Sequence, residues 1–280
     1  MPDMSDRARN RSRRNRRNLR PRRRLLTECL EDRRLLAVSF EFNYINDSSV
    51  GFNDPVDGSA FQSALEAAAT RIGDSLLHDA TIEMDVFSRE FDGSAIAKAT
   101  SEPPEVVAGG GFVSAVIPDK IINAVDPNGD DSDGRLEVFF FDAMDTFTYA
   151  LAPGDVDEDD EIDFQAVIIH ELVHTLGFTS YTNADGSDDN GNGLSTPGTW
   201  SLFDQFLTDS EGNRLIDADA SSDSAFEMDE AAWTTHSVGG PGPDGGLFFD
   251  GPIATATYGQ RVPLFSPATF QLESSVAHLD

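Results

Sequence analysis

Residues 164–177 read Phe-Gln-Ala-Val-Ile-Ile-His-Glu-Leu-Val-His-Thr-Leu-Gly, and this stretch decides how the rest of the chain is interpreted. Its apolar residues recur at the spacing of a helix and predict a buried α-helix over about 164–176. Asp163 precedes the helix, where a carboxylate can accept a hydrogen bond from a free backbone N–H, so we expect it to be the N-cap. Gly177 stands where a chain leaving a helix often needs a positive φ, and it marks the end of the helix.

The same stretch carries a pattern typical of a zinc site. His170 and His174 are four residues apart, so on a helix they share one face and can direct two imidazoles at one ion. Glu171 lies at the edge of that face. There its carboxylate can reach a zinc-bound water rather than the zinc, which is the position that a general base requires. We therefore predict Zn²⁺ as the cofactor, with His170 and His174 as ligands and Glu171 as the catalytic base.

His-Glu-x-x-His-x-x-Gly resembles the motif of the metzincin zinc metallopeptidases, in which a third histidine follows three residues after the glycine. In this chain that position is Ser180. A catalytic zinc ion usually takes three protein ligands and leaves one position open for water, so a third ligand is expected elsewhere.

The third ligand is predicted to be His278. The segment Ser-Ser-Val-Ala-His-Leu-Asp at 274–280 is similar to the one that carries the third histidine in leishmanolysin-like metzincins, where a long insertion precedes it. Stretches 200–209 and 246–252 also resemble that insertion, so the resemblance runs from about residue 110 to the C-terminus. The alternative third ligand is His236, which we interpret as a solvated loop residue, and His78 is interpreted as a surface histidine.

The resemblance implies an α+β, metzincin-like fold: a twisted mixed β-sheet, a zinc-binding active-site helix and a loop-rich C-terminal part. The residue patterns agree with this class. They predict strands over 38–45, 81–88, 95–100 and 136–141, helices over 57–77 and 118–124, and short helices near 201–207 and 227–233.

The methionine pattern departs from the family. Metzincins place a methionine turn after the third histidine, as an apolar floor beneath the zinc. Here the sequence ends two residues after His278, and its last methionine is Met228. We therefore expect the catalytic domain, residues 38–280, to be truncated in its C-terminal part, and the activity of this chain to depend on that missing turn.

The N-terminal segment differs sharply in charge from the remainder. Residues 1–36 hold thirteen arginines and five acidic residues, which leaves seven basic and forty-five acidic residues in the rest of a chain of net charge −30. The end of this segment resembles the Leu-Glu-x-Arg-x-Leu-Leu signal at the start of extracellular planctomycete proteins. We therefore predict that residues 1–37 are an export or sorting segment and that the protein is secreted or held at the cell surface. The alternative is an arm that binds nucleic acid through phosphates.

Three acidic segments, at 126–134, 155–163 and 185–193, offer closely spaced oxygen atoms for calcium. The first resembles an EF-hand loop and reaches Glu137 at the twelfth position, but its sixth position is Asp131 instead of glycine. The third has the best composition for a structural calcium loop, because its glycines allow tight wrapping. The alternative for all three is a solvated acidic loop. Calcium is thus a second, structural cofactor that the sequence admits.

These features predict a secreted zinc metalloendopeptidase that acts on protein or peptide substrates. The alternative is a non-catalytic, calcium-binding extracellular module on a degenerate protease scaffold, which the missing methionine turn favours. The acidic body would repel a polyanion, so we expect no nucleic-acid partner. No apolar run reaches the length of about eighteen residues that a membrane span needs. The single cysteine, Cys29, precedes the domain, so neither a disulfide nor a thiolate ligand is expected there.

Overall fold

The structure is a computed structural model, and it describes residues 37–46, 48–93, 95–103, 108–141, 147–154, 160–240, 246–271 and 274–279. The chain divides into two units, Met1–Leu35 and Leu36–Asp280. The fold given below belongs to the second unit, and the predicted export segment up to residue 36 lies outside the described residues. Within the described ranges, no helix has both the length and the hydropathy needed to cross a bilayer.

The described residues of the second unit form both helices and strands. The helices are α1 (Gly58–Gly73), α2 (Val116–Ile122), α3 (Phe164–Thr175), α4 (Glu230–His236) and α5 (Pro252–Tyr258). The strands are β1 (Val38–Ile45), β2 (Ala80–Glu90), β3 (Ala97–Ser101), β4 (Gly111–Val113), β5 (Gly134–Phe140), β6 (Thr148–Ala150), β7 (Glu161–Asp163), β8 (Thr199–Ser201), β9 (Leu207–Thr208), β10 (Leu247–Phe249) and β11 (Val262–Leu264). Single turns of 3₁₀-helix cover Gly51–Asn53 and Asp204–Phe206.

A four-stranded mixed sheet forms the base of the fold, in the order β1-β2-β5-β3. Strands β1, β2 and β5 are parallel, and β3 is antiparallel to β5 at the edge. In β2 the alternate residues Ile82, Met84 and Val86 are buried, as the two-residue period of a strand requires when one face meets the core. The prediction of an α+β class with a mixed sheet is confirmed.

Helices α1 and α3 pack together over this sheet and form the first core. From α3, the side chains of Phe164, Ile168 and Leu172 are fully buried, because they recur on one face of the helix. Phe164 lies edge-on to Tyr149 and to Phe61 of α1. This packing fixes the rotation of α3 about its axis, and so decides which side chains it presents to solvent.

A second core lies in the C-terminal half, which the sequence predicted only as loop-rich. Strands β9, β10 and β11 form a small antiparallel sheet there. Two tryptophans, Trp200 and Trp233, are fully buried in this second core, and each indole N–H donates to a backbone carbonyl. Other members of this core are Phe203, Leu207, Leu215, Ile216, Met228, Leu247, Leu264 and Val276.

Helix α1 ends earlier than the sequence predicted, at Gly73 instead of residue 77. A Cβ on Gly73 would lie 2.0 Å from the carbonyl oxygen of Val38, so the backbone of α1 passes directly against β1 at this point. The Ser75 hydroxyl then donates to the Ile72 carbonyl at 2.6 Å and occupies one of the free acceptors at the helix end. The last apolar residues of the predicted helix therefore lie beyond it.

The EF-hand-like segment at 126–134 is organised by a lysine. The Lys120 ammonium lies 2.9 and 3.1 Å from the two carboxylate oxygens of Asp133, which is fully buried, and 3.1 Å from Asp126. Asp133 also accepts the backbone N–H of Glu83 on β2. Two of the acidic residues proposed for calcium thus surround an ammonium group, which favours an ion-paired loop over a calcium loop at this place.

We expect Lys120→Met to destabilise the fold by about 3–5 kcal/mol, because it leaves the carboxylate of Asp133 buried without its counter-charge. The matched control is Asp126→Asn, which removes only the more exposed partner and should cost under about 1 kcal/mol. Urea unfolding at constant m-value measures both. Equal losses for the two variants would contradict this account.

Candidate metal centre

The first part of the site is built by α3, which is capped at its N-terminus. Asp163 caps the helix as predicted, since its carboxylate accepts the backbone N–H groups of Ala166 and Gly154, each at 2.9 Å. With the apolar face of α3 held in the first core, His170 and His174 project from the other side. His170 is exposed and His174 is half-buried. The structure therefore places the two motif histidines on one accessible edge of the helix.

The helix ends at the predicted glycine. The backbone N–H groups of Leu176 and Gly177 close the last turn on carbonyls of α3. Gly177 has a φ of 106°, a conformation that residues with a Cβ rarely adopt. The chain then turns back so that the carbonyl of Phe178 lies beside the ring of His174.

The third histidine comes from the C-terminal segment, 104 positions later in the chain than His174. The carbonyl of His278 accepts the N–H of Phe265 at 2.8 Å, and Val276 N–H donates to the carbonyl of Phe265 at 3.0 Å. Val276 is fully buried in the second core and has a φ of 72°, which is unusual for a β-branched residue. The second core therefore holds the turn that carries His278 towards α3.

The three imidazoles meet through their Nε2 atoms. His170 Nε2 lies 2.9 Å from His278 Nε2 and 3.2 Å from His174 Nε2. The ligand atoms of the three residues all lie within 4.8 Å of one another. The structure thus brings together the three histidines that the sequence proposed as metal ligands, and they are close enough to bind one ion.

Backbone carbonyls fix the tautomers of two of these rings. His174 Nδ1 lies 2.7 Å from the carbonyl of Phe178, and His278 Nδ1 lies 2.7 Å from the carbonyl of Ser274. A carbonyl only accepts, so each Nδ1 must carry the proton and each Nε2 must present a lone pair when the ring is neutral. These are the outer contacts that usually orient metal-binding histidines. Sequence reasoning had not found them, because every residue has a carbonyl.

The surroundings of His170 and His174 favour the unprotonated form of these two rings. Partial burial lowers the pKa of His170 and His174, and the neighbouring imidazoles lower it further by charge repulsion. For His174 these effects outweigh the hydrogen bond to Phe178, which acts in the opposite direction. Both rings are therefore held in the neutral form that a metal ion needs.

The donor set fits a zinc ion. Two nitrogens bound to tetrahedral Zn²⁺ at about 2.0–2.1 Å lie about 3.3 Å apart, close to the separations of 2.9 and 3.2 Å found here. When His174 and His278 carry their protons on Nδ1, only a proton on His170 Nε2 could pair these contacts, and it could serve just one of the two neighbours. Three neutral imidazole ligands suit zinc, although copper, iron and nickel also accept them.

Glu171 lies beside the histidine cluster but does not belong to it. It is half-buried on the edge of α3, and the group of ligand atoms within reach of one ion contains the three histidines alone. Its carboxylate faces the region of Tyr149: burial raises the pKa of that phenol, and the negative charge of Glu171 raises it further. The glutamate thus adjoins the metal ligands on α3 without belonging to their group.

An apolar cavity of about 460 Å³ opens on the other flank of α3. Val173 of α3 and its C-cap residue Leu176 form one wall, and Gly177, Phe178, Thr179 and Tyr181 form another. The remaining lining comes mainly from 113–122 and 201–206, with Phe249 of β10. The cavity and the histidine cluster therefore share the last turn of α3 and the segment that leaves it.

The other two histidines lie apart from this cluster. His236 ends α4 and is half-buried rather than a solvated loop residue, and its Nδ1 has no hydrogen-bond partner among the described residues. His78 is exposed after the end of α1, as expected for a surface residue. Across the described ranges, the histidines at 170, 174 and 278 are the one group of three His, Cys, Asp or Glu residues close enough for a metal.

The remaining calcium predictions have limited support. In the segment 185–193, Asp185 accepts the N–H and hydroxyl of Ser187, and Asp188 accepts the N–H groups of Asn190, Asn192 and Thr199. These carboxylates are engaged in folding their own loop. The segment 155–163 lies outside the described residues for positions 155–159, so calcium there stays a prediction.

Comparisons of the chain with protein-family models, with curated proteins and with solved structures found no significant match. The resemblance to metzincins therefore rests on the sequence motifs alone. The function has to be argued from the chemistry of the site itself.

Proposed function

We propose that this protein is a secreted zinc-dependent metalloendopeptidase. The observation that carries the proposal is the convergence of the Nε2 atoms of His170, His174 and His278, with Glu171 directly after the first of them. Three histidines with one open position are a common ligand set of hydrolytic zinc sites. The glutamate supplies the acid–base group that such a site needs.

The three histidines would hold the zinc ion through Nε2. His174 and His278 have their Nδ1–H groups fixed on carbonyls, so their lone pairs stay directed at the ion. Bound zinc would polarise the scissile carbonyl and lower the pKa of a water molecule towards neutrality.

Glu171 would act as the general base and then as the general acid. Its carboxylate would accept a proton from the attacking water and deliver it to the nitrogen of the leaving amine. Its position is consistent with this role, because it adjoins the ligands on α3 without belonging to their group. Among the described residues, that group contains no acidic residue.

The apolar cavity suits a substrate with an apolar side chain next to the bond that is cut. Phe178, Phe203, Phe206 and Phe249 all line it, and Val173 at its edge is partly exposed. Burying an apolar side chain there would contribute roughly 1.5–3 kcal/mol to binding. Proteins and peptides offer such side chains beside an amide, which is why we propose a peptide substrate. Secretion rests on the export segment predicted at 1–37.

Metal analysis of the full chain tests this proposal. We expect one zinc ion per chain after purification without added metal, and hydrolysis of casein that a chelator stops and added zinc restores. Zinc without hydrolysis would favour the alternative, a non-catalytic extracellular module on the same scaffold. Absence of zinc, with no uptake on titration, would contradict the metal centre.

A further inference from the structure

The segment that follows α3 connects the metal centre to a buried aspartate. At its start, the carbonyl of Phe178 accepts the Nδ1–H of His174 at 2.7 Å. The orientation of this imidazole therefore depends on where the backbone at Phe178 is held. Gly177 precedes that point with a positive φ, and a glycine alone does not restrict the backbone enough to fix it.

The restraint comes from the next three residues. The Ser201 hydroxyl donates to the carbonyl of Thr179 at 2.7 Å, and the Tyr181 N–H donates to Oδ2 of Asp204 at 3.0 Å. Asp204 Oδ2 also accepts the N–H of Ser201 at 2.9 Å. It lies 2.9 Å from the Ser201 hydroxyl, whose single proton is shared between this oxygen and the Thr179 carbonyl. The Ser180 side chain also interacts with this carboxylate and lowers the pKa of Asp204. The Asp204 carboxylate and the Ser201 hydroxyl thus join the segment 179–181 to the end of β8.

The burial of Asp204 at this place is energetically unfavourable. Its side chain is fully buried, and Oδ1 has no hydrogen-bond partner among the described residues. Burial raises the pKa of Asp204 to about 6, against the opposing effect of the hydrogen bonds from Ser180, Tyr181 and Ser201. A buried carboxylate with one unpaired oxygen lowers the stability of the fold. An apolar side chain at this position would avoid that loss.

We propose that Asp204 is a positioning residue of the metal centre: with Ser201, it holds the segment after α3 so that the Phe178 carbonyl keeps the Nε2 of His174 directed at the ion. The inference rests on the proposed zinc function. Asp204 and Ser201 also hold two parts of the cavity lining in place, because Thr179, Tyr181 and Ser201 line the apolar cavity. Asp204 would therefore couple the geometry of the ligand to that of the neighbouring cavity.

The hydrogen-bond geometry provides an informative pair of variants. The contacts of Tyr181 and Ser201 with the Asp204 side chain all end on Oδ2, so the amide oxygen of Asp204→Asn can replace it, whereas Asp204→Ala removes the acceptor. Asp209→Ala is the matched control. Asp209 is also buried and organises its own loop by accepting N–H groups of residues 211–213, but it has no connection to His174.

The experiment measures zinc affinity by chelator competition on the full chain, together with the visible spectrum of the cobalt-substituted protein. We expect Asp204→Ala to weaken zinc binding by about tenfold or more and to alter the cobalt bands, because outer contacts of this kind tune ligand geometry. Asp204→Asn should recover most of the affinity and the wild-type spectrum. Asp209→Ala should lose stability but leave both readouts at wild-type values.

Two results would overturn the inference. If Asp204→Ala binds zinc as the wild type does, with an unchanged cobalt spectrum, Asp204 is structural only and the zinc proposal stands. If the wild-type chain binds neither ion, both proposals are overturned. Should Asp204→Ala fail to fold, Ser201→Ala carries the test, because it removes the donor to Thr179 and should weaken zinc binding in the same direction.

Discussion

Replacing Glu171 with Gln is expected to reduce peptide hydrolysis by about 10²–10⁴-fold while the chain retains its zinc. Glutamine has nearly the same shape but cannot accept the proton of the attacking water. The ligand group contains the three histidines and excludes Glu171, so the substitution leaves the metal donors in place. Loss of rate without loss of metal is therefore the result that identifies a general base.

The measurement combines zinc content per chain with chelator-sensitive casein hydrolysis on the same preparation. Glu230→Gln is the matched control, because Glu230 is exposed in the first turn of α4 and has no part in the site. It should behave as the wild type in both assays. If Glu171→Gln keeps more than about a tenth of the activity, the proton passes through another group and the role assigned to Glu171 is wrong.

The sequence predicted best those parts of the fold that have long periodic patterns. Strand β1 matches its predicted range, Val38–Ile45, and α3 differs by one residue at its end. Both bury one face over eight or more residues, so the period of the element is clearly visible. The capping role of Asp163 was equally predictable, because it depends only on local chemistry.

The second core could not be predicted in the same way. Strands β8 to β11 have two or three residues each, too few to display a period. Asp204 was also missed, since an aspartate is usually exposed and nothing in the local sequence indicates a buried one. The outer contacts of His174 and His278 are backbone carbonyls, which carry no residue-specific signal.

The role of His278 could be predicted only in part from the sequence. No spacing rule connects it to the helix motif, so its selection over His236 came from the resemblance of 274–280 to a family segment. The structure gives a physical reason for the same choice, because the second core holds residues 265 and 276 and delivers His278 to α3. The two arguments are independent, and a single substitution tests both.

We expect His278→Ala to weaken zinc binding by more than about a hundredfold. If four ligands share about 12 kcal/mol of zinc binding, one of them contributes about 3 kcal/mol, which corresponds to that factor. Two histidines would then remain on α3, and a site with two protein ligands holds zinc too weakly for purification without added metal. Chelator-sensitive hydrolysis should disappear with the ion.

His236→Ala is the matched control, because His236 is the other histidine considered as third ligand and lies outside the group. It should keep one zinc per chain and full activity. Circular dichroism of both variants in the metal-free state separates loss of a ligand from loss of the fold. Besides its contact with the other histidines, the His278 side chain makes a hydrogen bond to the Ser274 carbonyl, so its removal should cost the apo protein only about 1 kcal/mol.

The opposite pattern of zinc loss in the two variants would assign the metal ion to a different set of ligands. Zinc retained by His278→Ala and lost by His236→Ala would make α4 the source of the third ligand and would require the C-terminal segment to leave α3. Retention by both variants would mean that two histidines and solvent suffice. The expected pattern, loss only in His278→Ala, would instead tie the metal to the second core, since that core is what brings residues 274–279 to the helix.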